Sequence, residues 1–247
     1  MNKIICLLLA MLSPVICAKE VVMAFGEAIP PFSFPESDSG IELDIIGEAL
    51  AFHQHTLKPK YFPLGRIPYI FKQKHVDATM TDLGYDMAAI GAFYGQSAVF
   101  YDNVFITLKE RNISIKTPDD LKGLSIISFQ GATKRFPKWL KEPDKADLVT
   151  EQNKQIIQVL MLNSGHVDVA LSDVSIFQYY SLQAETRLGK TLQETTTHRF
   201  TDIDPTDYRP VFWDESIRDD FNEGLEHLKK TGRYQAIFDK YLKNGKP

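Results

Sequence analysis

Cysteine is nearly absent. The 247-residue chain has two, Cys6 and Cys17, and both fall within the first eighteen residues. That opening, MNKIICLLLAMLSPVICA, has one charge at Lys3, then an apolar stretch, a break at Pro14, and the small residue Ala18 just before Lys19. The pattern predicts a secretory signal peptide over residues 1–18, too short and wrongly flanked for a membrane span. Cys17 follows Pro-Val-Ile rather than the small residue a lipid-attachment box has, which argues against a lipid anchor. Cleavage after Ala18 would leave a chain without cysteine. That excludes a disulfide, a thiol nucleophile and a Cys-ligated metal in the mature protein, and suits an oxidising compartment outside the cytoplasm.

Other absences narrow the function. No segment after the leader has an apolar run long enough to cross a bilayer. No repeat or low-complexity tract is evident, which excludes a solenoid or a long disordered tail. Positive charge is not in excess: the net charge is −4, and loss of Lys3 with the leader makes it −5. A nucleic-acid partner is therefore not expected, since it calls for a basic face. The six histidines show no metal-ligand spacing, and no G-x-S-x-G or Ser-His-Asp pattern is present. No cofactor or metal is expected.

What remains is a strand–helix alternation. EVVMAF (Glu20–Phe25) reads as a buried strand, broken by the Gly26 and proline-containing loop GEAIPPFSF. GIELDIIGEALAFHQ has apolar residues at helical spacing, with Ile45, Ile46, Leu50 and Phe52 as inward candidates. A strand region TLKPKYFPL, a helix RIPYIFKQKH and a strand VDATMT follow, then the strand NVFITLKE (Asn103–Glu110). The second half repeats the plan: LSIISF as strand, GATKRFPKWL as turn and helix start, NKQIIQVLMLNSGH as amphipathic helix, VDVALSD as strand. Alternation of this kind predicts an α/β fold with mixed, mainly parallel sheets. Two similar units of about 90 residues predict two lobes. IRDDFNEGLEHLKKTGRYQAIFDKYL reads as two helices broken at Gly232, packing through Leu225, Leu228, Ile237, Phe238 and Leu242.

Five segments, IPPFSF…GIELDI, KQKHVDATMT, LKGLSIISFQGAT, VDVALSD and FNEGLEHLKKTGRYQAIFDKYL, occur here in the order seen in the extracellular solute-binding proteins of family 3. The chain resembles these periplasmic receptors of polar amino acid ABC transporters over nearly its whole mature length. The resemblance implies the two-lobed periplasmic-binding-protein fold (type II): two sheets joined by two hinge strands, with the ligand closed between the lobes. It divides the chain into lobe one at 19–107, lobe two at 108–198, and a return to lobe one at 199–247. It also implies a periplasmic location, a monomer, a small polar solute as ligand, and a membrane permease as partner.

FQGATK (Phe129–Lys134) is the clearest local motif. A strand ends at Gln130, Gly131 allows a tight turn, and a helix start offers free N–H groups suited to an anion. By resemblance Thr133 holds a ligand carboxylate; read without it, Thr133 is an N-cap. Asp173 ends the strand VDVALSD, and the resemblance makes it the partner of a ligand ammonium. Its alternative is the N-cap of the helix VSIFQYYS. Asp77 and Asp168, in the paired VDA and VDV segments, read as structural. Thr81 and Asp82 match polar strand-end positions that touch ligand in the family. Seven residues beyond Asp82 the family has an arginine that grips the carboxylate; Ala89 stands there, and a methyl cannot replace a guanidinium fork. Two facing carboxylates, Asp82 and Asp173, would favour a cationic ligand such as a diamine. Arg66 in PLGRIP is either a partial substitute or a surface arginine. Glu27 lies near the expected cleft, and Tyr85, after Gly84, is the better candidate for an aromatic wall. Phe25 and Phe32 are walls or core.

A binding protein is thus the main expectation, not an enzyme. One rival is a sensor that hands its closed form to a membrane signalling protein. Another is an enzyme resembling cyclohexadienyl dehydratases, on the same scaffold, with Glu27, Asp82 or Asp173 as acid. Its dianionic substrate would be repelled by two cleft carboxylates.

Overall fold

The computed structural model describes residues 18–201 and 208–243. Most of the expected leader, with Cys6 and Cys17, lies outside the described residues. Among the described residues, ten strands form two five-stranded sheets. The first sheet contains β1 (Glu20–Gly26), β2 (Thr56–Phe62), β3 (Ala78–Thr79), β4 (Phe93–Tyr94) and β10 (Val211–Phe212), in the order β2-β1-β3-β10-β4. The second contains β5 (Asn103–Leu108), β6 (Ile126–Phe129), β7 (Val149–Gln152), β8 (Val169–Asp173) and β9 (Thr195–Arg199), in the order β7-β6-β8-β5-β9. Both sheets are mixed. β1 runs parallel to β2 and β3, and β6 runs parallel to β7 and β8. The antiparallel pairings belong to β10, which returns late in the chain, and to β5, which opens the second sheet between β8 and β9. The chain therefore builds most of one α/β unit, passes through the whole of the other, and comes back to finish the first.

Helices cover the sheets: α1 (Ile41–Ala51), α2 (Ile67–Lys72), α3 (Ala132–Arg135), α4 (Pro137–Lys145), α5 (Ile156–Asn163), α6 (Val174–Leu188), α7 (Glu215–Thr231) and α8 (Arg233–Leu242). Burial on both sheet faces follows from the period-two geometry of strands. In the second lobe Val104, Ile106, Leu108 and Ile127 pack on one side with Val159, Leu162 and Phe177 of α5 and α6. Phe105, Ile126, Val169 and Leu171 point the other way, to Trp139 and Leu140 of α4. The first lobe has a single larger core in which β1 and α1 meet Ile217, Phe221, Leu225 and Leu228 of α7.

Three local features position these layers. α1 and α7 touch at Gly224, where a methyl group would come within 2.0 Å of the Ala49 carbonyl oxygen. Asp77 and Asp168 do the same job in the two lobes: Asp77 accepts the Val22 N–H at 2.9 Å, and Asp168 accepts the Ser125 N–H at 2.9 Å and its hydroxyl at 2.8 Å. Gly232 (φ 76°) ends α7 and begins α8, with Leu225, Leu228 and Ile237 buried and Phe238 and Leu242 partly so. Phe52 departs from expectation. The helix stops at Ala51, so Phe52 falls outside the inward stripe, 43% exposed and stacked on His227 at 4.5 Å. Among the described residues, no helix is long and apolar enough to cross a membrane.

Candidate functional site

Between the two lobes lies a cleft of about 470 Å³. Lobe one contributes Glu27 and Ile29 from the loop after β1, Leu64 after β2, and Met80 and Leu83 after β3. Tyr101 and Tyr208 come from the segments that pass between the sheets, and Asn103 opens β5. Lobe two contributes Phe129, Gln130, Gly131 and Arg135 at the end of β6, Gln152, Asn153 and Gln155 at the end of β7, and Asp173 and Ile176 at the end of β8. Ligand sites in open α/β sheets form at the carboxyl ends of strands, because the strand-to-helix turns there carry free backbone and polar side chains. A second hollow of about 300 Å³ is confined to lobe two, between α5, α6 and β9, and is lined mainly by aliphatic side chains. The larger cleft has the polar groups that converge from several elements.

Asp173 is the best-defined of these groups. It caps α6, accepting the Ile176 N–H at 3.0 Å, and is 3% exposed. Burial raises its carboxyl from 3.8 to about 7, and the nearby Asp102 charge adds to that, against the pull of the Ile176, Asp102 and Ser175 N–H groups. Asp102 is itself forked by Arg199, at 2.5 and 3.2 Å. The capping role and the cleft position, alternatives when read from sequence, coexist in one side chain.

The turn after β6 is built as its sequence suggests. Gly131 adopts φ 88°, a conformation costly for other residues, and α3 starts at Ala132. The donors of this turn do not face an open space, however. Gln130 Nε2 and the Gly131 N–H donate to Glu151 Oε2 at 3.0 and 2.8 Å. The Thr133 N–H and hydroxyl donate to Glu151 Oε1 at 2.9 and 2.8 Å. Thr133 is thus neither the N-cap of α3, which is Gly131, nor a member of the cleft lining.

Of the residues singled out by sequence, Glu27, Gln130 and Asp173 line the cleft. Arg66, Thr81, Asp82, Tyr85 and Thr133 do not. Thr81 is 1% exposed; its Oγ1 accepts the Leu83 N–H at 3.1 Å. Asp82 Oδ1 accepts the Gly84 N–H at 2.9 Å, which closes a turn. Tyr85 is 54% exposed and sits under the Lys72 ammonium at 4.3 Å. Arg66 is exposed in the turn before α2, and Ala89 is exposed in a 3-10 turn. Phe25 and Phe32 are fully buried. Sequence reading missed Glu151 and the amide group Gln152, Asn153 and Gln155. For the amides the available signal was the stretch QNKQ, polar residues between a strand and a helix. Among the described residues, no cluster of three His, Cys, Asp or Glu side chains is arranged to hold a metal ion.

No protein-family model matches the chain. Solved structures do. Substrate-binding domain 2 of Lactococcus lactis GlnP, in an open conformation, is 22% identical, with 91% of this chain and 96% of that one covered at a TM-score of 0.62. An ancestral arginine-binding protein bound to arginine is 20% identical over 90% of this chain and 97% of that one, with a TM-score of 0.60. A histidine kinase sensor domain with similarity to periplasmic binding proteins is 18% identical over 90% and 96%, at 0.58. The fold is that of the two-lobed periplasmic binding proteins, with the cleft where the two sheets face each other.

Proposed function

We propose that this chain is a periplasmic solute-binding receptor that captures a small polar ligand, amino-acid-like or cationic, between its lobes and delivers it to the membrane permease of an ABC transporter. The observation that carries the reading is the buried Asp173 carboxyl opening on an interlobe cleft lined by amides, aromatic rings and aliphatic side chains, with Glu27 and Arg135 as its other charged groups. A ligand ammonium would favour the ionised carboxylate, whose proton passes to solvent, and pair with it, a charge-assisted contact in a partly dry site. The names of the similar structures, a substrate-binding domain and an arginine-binding protein, support binding rather than chemistry as the activity.

A thermal-shift screen of amino acids, polyamines and dicarboxylates tests the proposal, because a ligand bound only by the folded state raises Tm by mass action. At least one amine-bearing solute is expected to raise it. Asp173→Asn keeps a side chain able to cap α6 but carries no charge. It is expected to weaken that ligand by about 10- to 100-fold, the usual cost of losing a desolvated charged contact. Unchanged affinity in Asp173→Asn would remove Asp173 from the site, and no shift with any solute would overturn the receptor reading.

A further inference from the structure

Lobe two already holds a carboxylate at its turn after β6, and it is the protein's own. β7 pairs in parallel with β6 so that Glu151 stands opposite Ser128, and this register carries its side chain to the turn that follows Phe129. Both oxygens of Glu151 are doubly engaged, Oε2 by Gln130 and Gly131 and Oε1 by the N–H and hydroxyl of Thr133. Burial alone would lift this carboxyl, but the Thr133 and Gly131 N–H groups and the Thr133 hydroxyl outweigh it and hold it below the usual range, so it is ionised at neutral pH. Gln130 and Gly131 line the cleft, while Thr133 and Glu151 lie behind them; a solute carboxylate arriving at this edge finds the Gln130 and Gly131 donors taken and a negative charge behind them.

The rest of the cleft points the same way. Glu27 and Asp173 add two further carboxyl groups. Gln155 lines the cleft with an Oε1 that is buried and, among the described residues, without a hydrogen-bond partner, an acceptor suited to an N–H donor. Arg135 is the one basic side chain in the described lining, and its guanidinium lies 5.2 Å from the Tyr208 ring and 5.5 Å from the Phe136 ring.

We propose that Glu151 is a specificity-determining residue. By filling the donor cluster of Gln130, Gly131 and Thr133 with an internal carboxylate, it turns the cleft toward small amines that carry no carboxylate, such as diamines and guanidino-amines, and against the α-amino acids built on the same side chains. This rests on the solute-receptor reading above.

Calorimetry on the full chain tests it with pairs that differ by one carboxylate: cadaverine against lysine, and agmatine against arginine. The expected result is at least tenfold tighter binding of the amine in one pair or both. In Glu151→Ala the freed donors are expected to improve lysine or arginine by tenfold or more while the amine changes less than threefold. Should the alanine variant not fold, as judged by circular dichroism, Glu151→Gln, which keeps one acceptor oxygen, is expected to shift the ratio in the same direction. Equal or tighter binding of the amino acid by the unaltered chain overturns the inference and leaves the receptor reading standing. An unchanged ratio in the folded variants does likewise. Binding of neither class overturns this inference, and the receptor reading falls with it only if the wider thermal-shift screen is also negative.

Discussion

Glu42 is a carboxyl group with nothing to bind. It lies in the first turn of α1, is 1% exposed, and both of its oxygens are buried without a hydrogen-bond partner among the described residues. Burial raises it from 4.5 to about 8, so it is largely protonated at neutral pH. Tyr234, which donates to the Ala98 carbonyl at 3.0 Å, is pushed up to about 12 by burial, with the Glu42 charge adding to it. Because the folded value of Glu42 lies above the unfolded one, the folded state binds more protons. Its stability is fully present below about 4.5 and is lost as pH rises toward 8. Glu42→Met removes both the buried acid and the slope. It is expected to stabilise the chain by about 1–3 kcal/mol at pH 8, the cost of an unsatisfied buried polar group, and by less at pH 5. Urea unfolding at the two pH values measures this; equal effects at both would contradict the assignment. The sequence does not reveal Glu42 as special. An acid in a helix's first turn is favourable when exposed, and only the packing of the Phe32 loop and α8 over α1 makes this one an exception.

At the scale of single elements, close approach matters more than propensity. Gly224 sits inside α7, where alanine would ordinarily stabilise a helix by about 1 kcal/mol. Here the added methyl would meet the Ala49 carbonyl oxygen at 2.0 Å. Gly224→Ala is therefore expected to lower stability by about 1–3 kcal/mol through overpacking, and a thermal melt would show a lower Tm. A raised Tm would mean that α1 and α7 can separate without loss. The turn after β3 shows the limit of reading elements from sequence. Its polar residues suggest presentation to a ligand, but Thr81 and Asp82 spend their side chains on the Leu83 and Gly84 N–H groups. Self-bonded turns and ligand-binding turns use the same residue types, so Thr81 and Asp82 drew the reading, while neighbouring Met80 and Leu83, which do line the cleft, carry no polar signal. Glu151 was hidden for a different reason: its role exists only through the β6–β7 register, a pairing between strands twenty residues apart that no local pattern carries.

For the whole molecule, much of the plan was legible. The period-two strands and amphipathic helices repeat in both halves, and Asp77 and Asp168 pin equivalent strand pairs as their matched VDA and VDV contexts suggested. The resemblance brings the chain back to the first lobe, but no sequence pattern marks the two residues Val211 and Phe212 as the strand β10 between β3 and β4. Asp173 stands where the second sheet, α6 and the crossing segment at Asp102 meet, with its carboxyl near 7. If it ionises to hold an amine, as proposed, capture expels a proton. Calorimetry in buffers of different ionisation enthalpy should then find about one proton released per ligand at pH 6 and few at pH 8, with affinity falling about tenfold per pH unit below 7. A release independent of pH would place the ammonium elsewhere. The N-cap of one helix would thus make the receptor an exchanger of solute for protons, most retentive in neutral surroundings and least so in acid ones.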